Sequence, residues 1–117
     1  MTLKVQRVVA NVSTSDSALA QTFCADILGL DLQMDMNWMR TYGSKTKMSV
    51  QVGFVSEGGS GAPVPELAIE VDDLDGALEK FKKGGFVIEH GPVVEPWGVH
   101  RFFVRDPFGR RVNVLSH

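Results

Sequence analysis

The sequence predicts an α+β fold of paired βαβββ modules, and three observations predict it. The order strand, helix, strand, strand, strand occurs twice along the 117 residues. Each helix candidate carries an apolar stripe and stops at glycine, at Gly29 in the first half and at Gly84–Gly85 in the second. Between the halves lies SEGGSGAPVP, whose glycines and prolines prevent regular structure. Two such small units cannot easily bury their sheets separately. The chain is therefore expected to be one domain over 1–117, with modules at approximately 1–57 and 65–117.

The first strand candidate is Leu3 to Val12, containing VVANV. STSD follows, where Ser15 or Asp16 can cap a helix by accepting from an exposed N–H. Leu19, Ala20, Phe23, Cys24, Ile27 and Leu28 then recur at helical spacing, giving one apolar stripe. Extended candidates follow at Leu30 to Met34, Trp38 to Tyr42 and Met48 to Val55. The second half opens with the alternating strand ELAIEV, Glu66 to Val71. DDLD caps a helix whose stripe is Leu74, Ala77, Leu78 and Phe81, and the strands FVIEH, HRFFVRD and RRVNVL complete the half.

Composition narrows the function classes. Apolar residues make up 44% and charged residues 22%, an ordinary globular balance. A net charge of -2 gives no electrostatic footprint for nucleic acid or an anionic membrane, so neither is expected as a partner. The single cysteine, Cys24, excludes an intramolecular disulfide and fits a reducing compartment. The opening MTLKVQRVVANVS lacks the apolar core of a signal peptide, and no run reaches the roughly 20 apolar residues of a spanning helix. A cytoplasmic location is the expectation.

Three segments in order and spacing, FCADILGL, ELAIEVDDLDGALEKFKKGGF and WGVHRFFVRDPFGRRVNVLS, resemble the glyoxalase, bleomycin-resistance and extradiol-dioxygenase superfamily, the vicinal oxygen chelate proteins. The resemblance covers nearly the whole chain. It implies paired βαβββ modules forming a curved mixed sheet around a cavity, in a homodimer. It also implies where metal ligands would fall. The first-strand ligand of the second module matches Glu66, and the glutamate that follows a DPxG turn is here Asn113. Near the start of the chain two registers place Arg7 or Val9 at the ligand position, and Gln51 or a neighbour stands where a carboxylate is expected. One carboxylate, one amide and an arginine or valine do not make an imidazole and carboxylate site, so no metal and no cofactor are expected.

The remaining candidates are read from alternation and chemistry. In RRVNVLS, valines directed into a core leave Asn113 facing the other way with Arg111 and Leu115. In HRFFVRD, Arg101, Phe103 and Arg105 share one face, while His100, Phe102 and Val104 share the other. Trp97, in EPWG, either packs over a turn or forms an aromatic wall, and Trp38 carries the same two readings. Glu66 either lines the cavity or lies on a solvated face. DPFG, Asp106 to Gly109, is a structural turn, and Cys24 a small hydrophobe. GGSG lacks the lysine and following helix of a phosphate loop and reads as a connector or cavity rim.

These readings predict metal-independent binding of a small planar or cationic organic ligand, resembling bleomycin-resistance proteins. Trp38, Glu66, Trp97, Arg101, Phe103 and Asn113 are the expected ligand-binding residues, with no catalytic residue assigned. Two alternatives stay open at this stage. One is a glyoxalase-like lyase, isomerase or dioxygenase with an atypical metal site. The other is a dimer with a degenerate cavity and a structural or regulatory role.

Overall fold

A computed structural model of the chain describes residues 4, 6–36, 38–48 and 51–117. Its strands are β1 (Asp31–Met36), β2 (Met39–Gly43), β3 (Leu67–Glu70), β4 (Ile88–Val94), β5 (His100–Arg105) and β6 (Arg111–Ser116). β1 and β2 form an antiparallel hairpin, and the other four form a sheet of order β3-β6-β5-β4. In that sheet β3 runs parallel to β6, and the remaining pairs are antiparallel. Strand, helix and three further strands thus follow one another in the second half, the alternation of modules that the sequence predicts.

The first helix differs in winding from its expected α form. A short 3₁₀ turn, Ser17–Leu19, capped by the Asp16 side chain, leads into a π-helix over Gln21–Ile27. The N–H of Leu28 reaches back to the carbonyl of Phe23, five residues earlier, at 3.2 Å. This wider winding places positions i, i+4 and i+5 on one face. Phe23, Ile27 and Leu28 have that spacing, and all three pack on the core. Leu19, expected in the same stripe, stays 53% exposed because it lies in the tighter turn before it.

The second helix, Leu74–Lys83, is α-helical and amphipathic as its stripe predicts. Asp73 caps it by accepting from the N–H of Gly76, and Lys80, Lys82 and Lys83 sit in the last turn, where positive charge favours the helix dipole. Gly85 leaves the helix at φ +80°, a conformation that a side chain would strain. Leu74 and Phe81 face the sheet. With Phe23, Phe102, Val104, Val112 and Val114 they form one core between the helices and a single face of the four-stranded sheet.

Two expected strands of the first half are not formed among the described residues. Leu3 to Val12 and Met48 to Val55 hold no strand among their described residues; residues 3, 5, 49 and 50 lie outside them. Both segments have strand-like composition, but a strand exists only by pairing its backbone groups with a neighbour. Their side chains are open to solvent: Val8 is 53% exposed, Val52 63% and Phe54 93%. Their counterparts in the second half, β3 and β6, pair with each other. No helix among the described residues is long and apolar enough to cross a membrane.

Candidate functional site

Alternation along β5 and β6 divides the sheet into two chemically distinct faces. Phe102, Val104, Val112 and Val114 point to the helices and are at most 2% exposed. Arg101, Phe103, Arg111, Asn113 and Leu115 therefore point to the opposite face. Register assembles a patch there. Asn113 stands opposite Phe103 on one side and Ala68 on the other, and Glu89 stands opposite Phe103 from β4.

Arg101 organises the centre of this patch. Its guanidinium lies between two aromatic rings, 5.2 Å from the Trp97 centroid and 5.0 Å from that of Phe103. Its Nε donates to Glu95 Oε2 at 2.8 Å, and both residues are 4% exposed. His90 Nε2 lies 3.2 Å from the same oxygen, and the His90 ring packs on Phe103 at 5.0 Å. The connector between the two halves is tied into this group: Ser60 Oγ donates to Glu95 Oε1 at 3.2 Å, and Arg101 donates to the carbonyl of Gly59 at 3.3 Å. Gly59 has φ +89°, and a Cβ there would come within 2.7 Å of the Trp97 ring. Glycine is what allows the connector to lie against the indole.

The charge environment of Glu95 follows from these contacts. Burial alone would raise its pKa, but hydrogen bonds from His90 and Arg101, the Arg101 charge and the Ser60 hydroxyl together hold it below the ordinary carboxylate value. Glu89 is also held low, first by its hydrogen bond from Arg105 and further by the charges of Arg105 and Arg111. Burial raises the Cys24 thiol, with Asp106 adding to the shift, and Cys24 packs on the core's edge.

Four of the six residues singled out in the sequence come together here. Trp97, Arg101 and Phe103 form the stack, and Asn113 adjoins Phe103 in register. Asn113 is 8% exposed, and its Oδ1 is buried with no hydrogen-bond partner. Glu66 precedes β3 on the same face, but Arg110 takes its carboxylate in an ion pair. Trp38 stands apart at the β1–β2 turn, 75% exposed. Sequence reasoning missed Glu95 and His90. The signal for Glu95 was weak: a lone acid inside VVEPWG, six residues before an arginine on the next strand.

At the metal positions of the resembled family, the second-half donors are either engaged or weak. Glu66 is engaged by Arg110, and Asn113 offers a neutral amide. Among the described residues, no three of His, Cys, Asp and Glu converge to hold an ion. This donor set does not fit a catalytic metal.

The sequence profile of the Glyoxalase/Bleomycin resistance protein/Dioxygenase superfamily matches residues 5–114. The chain belongs to this superfamily. No curated protein matches it significantly. Solved structures do, and they share its fold. TnmS3, an antibiotic binding protein from Streptomyces sp. CB03234, is 21% identical with a TM-score of 0.71, covering 99% of this chain and 98% of its own. A protein of unknown function from Agrobacterium tumefaciens str. C58 is 19% identical at a TM-score of 0.67, with 100% and 96% coverage. A superfamily member from Sphaerobacter thermophilus DSM 20745 is 21% identical at 0.63, with 97% and 98% coverage.

Proposed function

We propose that the protein binds a small planar organic ligand, without a metal, on the sheet face that carries Trp97, Phe103 and Asn113. The observation that carries this reading is the Asn113 amide: a buried acceptor oxygen without a donor, set beside an aromatic stack. Leaving such a group unmade costs about 1–3 kcal/mol, a loss that a ligand N–H or O–H would remove. Trp97 is 54% exposed with its ring already fixed by Arg101 and Gly59, so one aromatic surface is rigid and accessible. The antibiotic binding described for TnmS3 supports the same class of function.

One chain does not enclose this site. Trp97, its outer aromatic wall, stays 54% exposed. A second copy is the proposed wall. The exposed apolar segments 6–12 and 51–55 pair with no strand among the described residues, and a copy of the same segments can supply partners. Sedimentation is expected to give twice the 12.8 kDa chain mass at tens of micromolar, and Phe54→Asp to shift it toward the monomer; a wild-type monomer would refute the shared wall.

The functional test is calorimetric titration of planar aromatic compounds into folded variants. Trp97→Ala is expected to weaken binding by roughly 2 kcal/mol, as for a central aromatic anchor. Asn113→Leu should cost about 1 kcal/mol by removing the acceptor. If Trp38 enters the site from the second copy, Trp38→Ala weakens binding as well. Unchanged affinity in both the Trp97 and Asn113 variants would place the ligand elsewhere.

A further inference from the structure

Three of the four carboxylates on the site face are matched by guanidinium groups. Glu66 pairs with Arg110, Glu89 with Arg105 and Glu95 with Arg101, while Glu70, opposite Leu115 at the far end of the face from Arg111, shares a hydrogen bond with His117. Arg111 lies on this same face, directly opposite Arg105 across β5 and β6. Among the described residues Arg111 makes no ion pair, and its side chain is partly open to solvent. The carboxylate nearest in charge, Glu89, is already engaged by Arg105. At the Arg105–Arg111 end of the face, Arg111 is therefore a cation that no ion pair among the described residues uses. A lone carboxylate at Glu66 would favour a cation, but Arg110 removes that attraction.

Two residues along β6 from Arg111 stands the unpartnered Asn113 oxygen. Side chains two apart on a strand point the same way and are separated by about 7 Å at their bases. A second orphan is close in sequence: Arg110 Nε is buried and has no acceptor. Acceptor, donor and unpaired cation thus occur within Arg110–Asn113, and the carboxylates at that end of the face, Glu66 and Glu89, are already engaged by arginines.

Resting on the reading of this face as a ligand site, we infer that its ligand is a planar organic anion carrying an N–H or O–H group. The anionic group meets Arg111, the N–H or O–H donates to Asn113 Oδ1, and the ring plane lies against Trp97. Guanidinium suits this task because its planar donors pair with a carboxylate through two parallel hydrogen bonds.

Four matched probes test the inference: 6-hydroxy-2-naphthoate, its methyl ester, its methyl ether, and the analogue with an aminomethyl group in place of the carboxylate. Calorimetry at low ionic strength is expected to show the hydroxy-acid binding at least tenfold tighter than the ester and the ammonium analogue, and several-fold tighter than the ether. Arg111→Gln should abolish the preference for the acid over the ester, while the preference for hydroxyl over ether remains. Asn113→Leu should do the reverse. If the neutral ester binds and responds to Trp97→Ala but the acid has no advantage, the ligand site stands and the anion assignment fails. If none of the four binds, both fail together. If Arg111→Gln leaves probe affinities intact but weakens self-association in sedimentation, Arg111 serves a second copy instead, and the assignment is overturned.

Discussion

Replacing Phe81 by alanine is expected to destabilise the protein by about 3–5 kcal/mol, read as a lowered urea midpoint with an unchanged slope. Phe81 is fully buried, and its ring centroid lies 5.0 Å from Phe23, 5.9 Å from Phe86 and 6.1 Å from Phe102. Through it the second helix touches both the first helix and the sheet. Alanine would remove the ring from all three neighbours, and a core packed to crystal-like density closes such a hole only in part. The loss is comparable to the whole stability of a marginal domain of this size. Phe81→Leu keeps most of the apolar volume and should cost clearly less. Equal losses for the two variants would mean that ring packing does not hold the helices on the sheet.

The same core explains what the sequence could and could not reveal. Alternation in RRVNVL and HRFFVRD places Val112, Val114, Phe102 and Val104 inside and Asn113, Arg101 and Phe103 on the other face, because strand periodicity is a local property of the chain. The stripe in the second helix is legible for the same reason. Strand formation at 3–12 and 48–55 is not local: composition favours it, but hydrogen-bond partners decide it. The site was legible only in its residue types. That Glu66 would be spent on Arg110, and Arg101 on Glu95, depends on side chains separated by turns and by the connector. Periodicity carries no information about such pairings. The superfamily resemblance located Glu66 and Asn113, yet it could not show that one is paired and the other left without a donor.

Arg101→Ala is the second large effect expected, also about 3–5 kcal/mol, because removing one partner of a buried pair leaves the other charge uncompensated. The Arg101 and Glu95 side chains are 5% and 3% exposed, so water cannot take over the lost interactions without opening the fold. The damage should extend beyond the pair. Trp97 loses the cation beneath its ring, and Gly59 loses its donor, so the connector keeps its Ser60 hydrogen bond but loses its tie to Arg101. Trp97 emission is expected to shift to the red as the indole gains solvent, and proteolysis should begin within 57–62. Replacing both partners, Arg101→Met with Glu95→Leu, should recover much of the stability, since no unpaired charge remains. The pair also sets a pH dependence. Glu95 is held below its unfolded value of about 4.3, so its contribution is complete above that pH and is lost as pH falls below it. Glu95→Gln should flatten that acid limb of the melting curve. If Arg101→Ala melts like the wild type, with the indole emission unmoved, the stack is a surface arrangement and not the element that fixes the connector over the site.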